Sequence, residues 1–361
     1  MIYDVAVIGA GINGCMVSYF LKNAGESVAL IDKEGVASGG SGAAGAFISP
    51  KFSKGGELKE LINKAYIYAL DFYTDNFAVY IKTAPLLHFA KYSDEIEKLQ
   101  AFKQTSTLAS GSAPAEALEC VRQRAKECEY VYLLKSGVVD AAGVCHALVK
   151  DIDFFIHEVS FFTCKGDYYQ IGEIKAKRIV LANGAYKPIV DEPYIKLRGI
   201  WGHRIDISSS TNIPVNLHQF VSISASNNSQ ISIGATHDVH FHPQTSKEPY
   251  NIQKGRDELL QKASQTVNLE DIKILKDYTG LRSGSHDYLP LVGAIVKSEE
   301  SLDKVHFYKN IYIINGVGGY GFVLAPYIAK QLSEFITTNS EIDAIINPAR
   351  FFYRYQKKQK K

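Results

Sequence analysis

The sequence lacks the features that mark membrane-spanning, disulfide-rich and metal-clustering proteins. None of its apolar runs approaches the roughly 20 residues that a membrane-spanning helix needs, and its N-terminus carries no basic segment followed by an apolar stretch and a cleavage site. The five cysteines are odd in number and scattered, and their spacing fits no common zinc pattern. These absences predict a soluble, cytoplasmic protein with reduced thiols, no metal and no membrane partner.

A strong charge of either sign is also missing. The 40 basic and 38 acidic side chains give a formal net charge of +2, which argues neither for nor against a nucleic-acid partner. The exception is the segment 350–361, which holds six Lys or Arg and no acid. This basic segment is the one charge signal for RNA in the sequence.

The length of 361 residues predicts about two domains, and the N-terminus indicates what the first one binds. An apolar run over residues 5–8 is typical of a strand buried on both faces of a parallel sheet. A G-x-G-x-x-G pattern follows it, formed by Gly9, Gly11 and Gly14. These glycines permit a tight turn, a close approach of a pyrophosphate and close packing of the next helix. A second apolar strand, 28–31, ends at Asp32, whose carboxylate can accept hydrogen bonds from a ribose. This order predicts a dinucleotide-binding domain.

The next segment, 35–50, favours FAD over NAD as the dinucleotide. A simple NAD-binding fold continues with another strand and helix, whereas this segment is a loop rich in Gly, Ser and Ala. Such a loop can lie close against a large cofactor. We therefore predict an FAD site in which Lys33, Ser41 and Gly42 join the glycines and Asp32.

The rest of the chain predicts an α/β fold in two discontinuous domains. Strands broken by polar turns between 198 and 242 are typical of antiparallel sheet, whereas residues 310–336 return to a strand, a glycine-rich turn and a long helix. We predict an FAD-binding Rossmann-type domain with an inserted, mainly antiparallel β-sheet substrate domain. The predicted FAD-binding domain comprises 1–80, 136–195 and 280–361, and the predicted substrate domain comprises 81–135 and 196–279.

Motifs along nearly the whole chain resemble the D-amino-acid-oxidase-type family of FAD enzymes, which includes glycine and sarcosine oxidases. Besides the glycines and Asp32, the resemblance rests on "ASGGSG" (37–42), "VLANGA" (180–185), "LRSGSHDYLPLVG" (281–293) and "INGVGGYGF" (314–322). The segments "SGAAGAFISP" and "RGIWGHRI" and the ending "NPARFFYRYQKK" are similar to the FAD-dependent C-terminal half of the bifunctional MnmC family, which modifies the wobble uridine of transfer RNA. No segment matches the methyltransferase half. Either a separate methyltransferase is therefore an expected partner, or the aminomethyl product is used as it is.

The resemblance implies a reaction and its site. A carboxymethylaminomethyl group on uridine carbon 5 is a glycine N-alkylated by the nucleoside, and its oxidation and hydrolysis would leave the aminomethyl form and glyoxylate. Arg282 is the expected anchor of the substrate carboxylate, because a guanidinium pairs with a carboxylate bidentately. His286 and Tyr320 are further candidates for substrate contact. The predicted cofactor-binding residues are completed by Ala182, Gly184, Gly318, Gly319, Tyr320 and Gly321.

Two other functions remain open at this point. The same FAD and Arg282 chemistry suits an oxidase or dehydrogenase of a free small amino acid such as glycine, sarcosine or a D-amino acid. A non-catalytic FAD-binding protein is the third hypothesis, with Arg282 as an ordinary turn residue.

Several histidines are weaker candidates. The group His237, His240 and His242 lacks the Cys or acid cluster of a metal site and is interpreted as a polar loop near the substrate. His203 and Arg204 lie on the predicted substrate sheet, where they face substrate, RNA phosphate or solvent.

Overall fold

The computed structural model describes residues 1–299 and 305–359. Its strands are β1 (Tyr3–Ile8), β2 (Val28–Asp32), β3 (Phe47–Ile48), β4 (Ile81–Phe89), β5 (Ser110–Gly111), β6 (Tyr130–Val139), β7 (Asp153–Ile156), β8 (Thr163–Cys164), β9 (Tyr169–Ile171), β10 (Ile174–Leu181), β11 (Leu197–Ser208), β12 (Asn216–His218), β13 (Ser222–Ile223), β14 (Gln230–Gly234), β15 (Lys273–Ser285), β16 (Leu291–Val296) and β17 (Phe307–Asn315). Its helices are α1 (Ile12–Asn23), α2 (Glu57–Asn76), α3 (Ser93–Thr105), α4 (Ala115–Glu119), α5 (Gln123–Lys126), α6 (Ala141–Leu148), α7 (Ile252–Ala263), α8 (Gly321–Thr338) and α9 (Ala349–Gln359). Short 3₁₀ turns lie at Ala78–Tyr80 and Gly318–Tyr320.

The chain divides into two compact, discontinuous units. The first unit comprises Met1–Gly42, Ala142–Ile200 and the described residues from Leu281 onward, and the second comprises Ala43–Ala141 and Trp201–Gly280. These bounds differ from the predicted ones mainly at residues 43–80, which the sequence prediction assigns to the FAD-binding domain and the structure places in the second unit. The reason is a long-range pairing, because β3 joins β6 and α2 packs against β3.

The first unit contains a sheet with a parallel centre, in the order β16-β17-β10-β1-β2-β7. Strand β1 lies parallel between β2 and β10, with Val7 opposite both Leu30 and Val180. Its residues are almost all buried, as expected for a strand covered on both faces. Because parallel strands end at the same edge of a sheet, β1 and β2 bring Gly9 and Asp32 to one edge. This edge is where ligands bind in such folds.

The second unit contains a mainly antiparallel sheet in the order β15-β11-β14-β13-β12-β4-β6-β3. Strands β4 and β12 are parallel to each other, which is a departure from a wholly antiparallel arrangement. One face of the sheet is apolar and packs on α7, whose Leu259 and Ala263 belong to the same buried cluster as the strand residues Leu87, Ile205, Leu217, Ile223 and Ile233. The mixed α/β architecture confirms the predicted fold class.

Within the described ranges, no helix combines the length and the apolar character that crossing a membrane requires.

Candidate functional site

The turn between β1 and α1 accepts only glycine at two positions. Gly9 has a φ of +107°, a conformation that L side chains rarely adopt. A Cβ on Gly14 would overlap the carbonyl oxygen of Gly9, and a Cβ on Gly9 would overlap that of Ala182. Helix α1 therefore begins close against the strand ends, with Gly11 as its N-cap and no acidic side chain in its first turn. The positive end of α1 suits a pyrophosphate.

Asp32 organises the backbone next to this turn. Its Oδ2 accepts a hydrogen bond from the backbone N–H of Ala10 at 2.8 Å, and its Oδ1 accepts from Glu34 at 2.9 Å and Gly35 at 3.1 Å. Oδ1 also accepts from Ser38 Oγ at 3.4 Å. Oδ2 accepts one hydrogen bond from the described residues, and because each carboxylate oxygen can accept about two, Oδ2 keeps capacity for a ribose hydroxyl. Lys33 contacts Glu34 at 2.9 Å and lies 4.3 Å from the ring centre of Tyr186.

The loop 37–42 connects the start of α1 to the strand that carries Arg282. Ser41 Oγ accepts a hydrogen bond from the backbone N–H of Ile12 at 2.9 Å. A Cβ on Gly40 would lie 2.5 Å from the carbonyl oxygen of Leu281 and 3.4 Å from the nitrogen of Arg282. The predicted cofactor loop therefore packs directly on the backbone at Arg282. Within the loop, a Cβ on Gly42 would lie 2.2 Å from the carbonyl oxygen of Ala37.

Arg282 lies near the end of β15 with a half-buried side chain. Burial lowers the pKa of its guanidinium, and arginine side chains stay protonated in proteins. A charge in a partly desolvated place attracts an opposite charge more strongly than one in water does. The geometry thus fits a site for an anionic group.

Two strand ends bring the glycine-rich turn beside Arg282. Gly284, two residues after Arg282, forms an antiparallel bridge with Val317. The glycine-rich turn Gly318–Tyr320 begins at the next residue. Burial raises the pKa of Tyr320, whose hydroxyl stays protonated at neutral pH. At the neighbouring strand ends, Asn315 donates a hydrogen bond to the carbonyl of Gly184 at 2.9 Å.

His286 differs from the other predicted site residues. Its side chain is exposed in the loop after β15, so the structure does not bring it into the half-buried part of the site with Arg282 and Tyr320. Its catalytic role stays a prediction.

The C-terminal helix holds the loop that follows Arg282, a feature that sequence reasoning missed. Arg350 of α9 donates hydrogen bonds to Asp287 at 3.0 and 3.1 Å and to the carbonyl of Leu289 at 2.8 Å. Arg354 donates to Asp287 at 3.2 Å. Asp287 also accepts from Ser285 Oγ, the last residue of β15. The ion pair lowers the pKa of Asp287 although burial opposes this.

This arrangement shows that part of the basic segment 350–361 is used within the protein. Phe352 is fully buried, and the guanidinium of Arg350 is used within the protein, because α9 anchors the loop after Arg282. Lys357 and Lys358 are exposed, and residues 360–361 lie outside the described residues. In the sequence, Asp287 and Arg350 are two charged residues 63 positions apart, and no local pattern indicates that they pair.

We expect Arg350→Ala to reduce the free energy of unfolding at pH 7 by about 3 kcal/mol, because the partly buried carboxylate of Asp287 then keeps only the more exposed Arg354 as a described cationic partner. The folded pKa of Asp287 lies below the unfolded one, so its stabilisation is complete above about pH 5 and is lost as the pH falls through the folded pKa. Melting temperatures at pH 7 and at about pH 3, below the unfolded pKa of an aspartate, should therefore differ less in Arg350→Ala than in the wild type. Lys357→Ala, an exposed change on the same helix, is the control. Equal pH dependence in wild type and Arg350→Ala would show that the pair contributes little.

Comparison with known proteins assigns the chain to a family. Residues 4–335 match the family model described as FAD dependent oxidoreductase. The chain belongs to this family. The match confirms the family resemblance, the FAD cofactor and an oxidoreductase that acts on C–N bonds.

Individual relatives of this oxidoreductase agree with the narrower resemblance. The tRNA 5-methylaminomethyl-2-thiouridine biosynthesis bifunctional protein MnmC of Legionella pneumophila is 24% identical over 398 residues, which cover 96% of this chain and 56% of that protein. The chain spans about half the length of the curated relatives it matches.

Two solved structures share the fold of this oxidoreductase. Glycine oxidase from Bacillus cereus has a TM-score of 0.76 at 19% identity, covering 94% of this chain and 96% of its own. L-proline dehydrogenase from P. horikoshii has a TM-score of 0.79 at 16% identity, covering 98% of both chains. At these identities the likeness shows the fold alone.

The residues of the first unit fit FAD. The open turn at Gly9 and Gly11 suits the pyrophosphate, and Asp32 suits a ribose. Oδ1 of Asn13, in the first turn of α1, is buried and has no hydrogen-bond partner among the described residues, as expected where a polar ligand binds. We expect the turn Gly318–Tyr320 to contact the flavin ring.

The weaker histidine candidates have structural contacts. His203 is buried and contacts Asp277 at 2.9 Å, and Asp277 also binds Arg256. His242 Nδ1 accepts a hydrogen bond from the backbone of Gln244 at 3.2 Å. In the part of the chain that the structure describes, no group of three or more His, Cys, Asp or Glu is placed to hold a metal ion.

Proposed function

We propose that this oxidoreductase removes the carboxymethyl group from 5-carboxymethylaminomethyl-uridine, or its 2-thio form, in transfer RNA and leaves the aminomethyl group. Oxidation of a C–N unit follows from the family. The transfer-RNA substrate rests on the MnmC relatives, which match 92–96% of this chain at 23–24% identity in the Legionella and Marinobacter proteins. A cytoplasmic location is part of the proposal.

The observation that carries the proposal is the position of Arg282. Its half-buried guanidinium lies on a strand that contacts the cofactor loop through Gly40 and the glycine-rich turn through Val317. A substrate carboxylate paired with Arg282 would have its α-carbon fixed in the same part of the first unit. Fixing reacting groups in this way contributes on the order of 7–11 kcal/mol in ideal cases.

The chemistry requires little else of the chain. When bound, FAD supplies a two-electron acceptor for amine oxidation. The substrate loses the α-hydrogen with two electrons and the proton of its nitrogen, and the resulting imine takes up water. Cleavage of the C–N bond then gives glyoxylate and the aminomethyl nucleoside. A partly desolvated site favours the neutral amine that this oxidation needs.

The name of the relatives, which refers to a methylaminomethyl nucleoside, supports a methylation after this step. A methylaminomethyl product requires transfer of a methyl group to the aminomethyl nitrogen, so we propose a methyltransferase activity as the partner of this chain. This chain would then supply the substrate of that activity.

Mass spectrometry of wobble nucleosides tests the proposal. Cells without this protein should accumulate the carboxymethylaminomethyl nucleoside and lose the aminomethyl form, and the wild-type chain should reverse both changes. The Arg282→Lys chain should restore them only in part. Unchanged nucleosides in the deletion, together with reduction of the purified flavoprotein by free glycine or sarcosine, would favour the free amino-acid substrate instead.

A further inference from the structure

The second unit carries a polar row across its sheet. In register, Arg204 of β11 lies opposite Gly234 of β14, which lies opposite Ser222 of β13. Ser222 lies opposite His218 of β12, and His218 lies opposite His88 of β4. Directly opposed residues point to the same face of a sheet, so these five positions form one continuous row, here called the polar row. It spans four strand spacings, about 19 Å.

The row of residues next to the polar row lies on the face of the sheet that packs on α7. The residues one position along the same strands are Ile205, Ile233, Ile223, Leu217 and Leu87, and all belong to the buried apolar cluster under α7. Alternate residues of a strand face opposite sides. The polar row therefore lies on the face opposite α7. Its His88 end packs through Phe52 against a second buried cluster that contains Phe102 and Val131.

Three side chains of the polar row are buried or half-buried and have polar atoms without partners. Arg204 is only 9% exposed, and its Nε has no hydrogen-bond partner among the described residues. Nδ1 of His88 and Nε2 of His218 are likewise buried without a partner there. Burying polar groups without hydrogen bonds is costly. Three such groups in one row point to a ligand that supplies the missing bonds.

Arg204 keeps its positive charge next to an aromatic ring. The guanidinium lies 3.8 Å from the ring centre of Tyr278, and its Nη1 is 3.7 Å from Oδ1 of Asp206, beyond hydrogen-bond distance. Asp206 Oδ1 is instead bonded to Ser232 at 2.6 Å. A Cβ on Gly234 would lie 2.8 Å from Cγ of Arg204, so the glycine makes room for the arginine stem.

The other end of the polar row is a series of flat rings. His88 stacks on Phe52 at 4.1 Å, and His218 packs edge-on against Phe47 at 5.1 Å. The two imidazole rings are 6.0 Å apart. Burial lowers the pKa of His88 and lowers that of His218 to about 4, so both rings are neutral at pH 7. A neutral imidazole offers one donor and one acceptor, which suits the alternating edge of a uracil-type base.

We propose that the polar row binds the single-stranded RNA around the modified nucleotide, with a base at the rings of Phe47, His218 and His88 and a backbone phosphate at Arg204. Single-stranded RNA is commonly bound by aromatic rings that stack on bases and by cations that contact phosphates. A free amino acid has neither a base nor a phosphate. The inference rests on the proposed function, because it assigns the polar row to the RNA part of that substrate.

Binding of a labelled transfer-RNA anticodon stem-loop to the FAD-loaded full chain tests the polar row. Arg204→Gln should weaken binding about tenfold and reduce the slope of log affinity against log salt by about one. Arg204→Lys should retain the salt slope, because it retains the charge. The matched control is Arg124→Gln, an exposed arginine on α5, whose Ala125 packs on the apolar cluster at the opposite face. His218→Ala should weaken binding without changing the salt slope.

The outcomes separate this inference from the proposed function. If the wild type oxidises modified transfer RNA while Arg204→Gln folds and binds the stem-loop with unchanged affinity and salt slope, the polar row is not the RNA site and the proposed function stands. If the wild type binds the stem-loop through Arg204 but oxidises no modified nucleoside, the proposed function fails and the RNA site stands. Absence of stem-loop binding by the wild type would overturn the inference.

Discussion

Arg282→Lys is expected to lower kcat/KM for the modified substrate about 100-fold while leaving FAD bound. The lysine keeps the charge but loses the planar pair of donors that binds both carboxylate oxygens. Losing one charge-assisted hydrogen bond costs about 1.5–3 kcal/mol, and misplacing the α-carbon adds to the loss. Steady-state kinetics and the visible absorption of the bound flavin measure the two quantities.

The matched control for this prediction is Arg124→Lys, the same substitution at an exposed position in the second unit. It should leave kcat/KM unchanged. Since the stability of the fold does not depend on turnover, melting temperature separates a catalytic effect from unfolding. Full activity in a folded, FAD-containing Arg282→Lys protein would show that Arg282 does not hold the substrate.

Gly14→Ala is expected to abolish most FAD binding. The added Cβ would overlap the backbone carbonyl oxygen of Gly9. The overlap can be relieved only by moving α1 away from the strand ends. Overpacking of this kind costs up to about 3 kcal/mol, and the shift removes the N-terminus of α1 from its place at the turn. The ratio of flavin to protein absorption after purification measures the result.

Gly39→Ala is the control for this substitution. A Cβ at Gly39 meets nothing within 4 Å, although the residue lies in the neighbouring loop. The control protein should retain FAD and its melting temperature. A fully FAD-loaded Gly14→Ala protein would contradict the proposed fit of the turn to the cofactor.

Local patterns predicted the strand, turn, helix and strand at the start of the first unit, and the structure has these elements. The strand, the glycines, α1 and Asp32 are close in sequence, and each glycine has a steric reason that a pattern can express. Arg282 was predicted by its motif, and the structure places it on a strand that contacts the cofactor loop at Gly40. The roles of these residues stay predictions.

What the sequence could not show depends on distant pairings. Residues 43–80 belong to the second unit because β3 pairs with β6, about 90 positions later. Arg350 meets Asp287 only because α9 returns to the loop after β15. His88 and His218 become neighbours through a parallel pairing of strands 130 positions apart. No local periodicity encodes such registers.

The most direct test of the account is anaerobic reduction of the bound flavin by transfer RNA that carries 5-carboxymethylaminomethyl-uridine. We expect the flavin absorption to bleach in proportion to the modified nucleoside, with release of glyoxylate and with no bleaching by transfer RNA that lacks the modification. Bleaching by free glycine or sarcosine, with none by the modified transfer RNA, would contradict it.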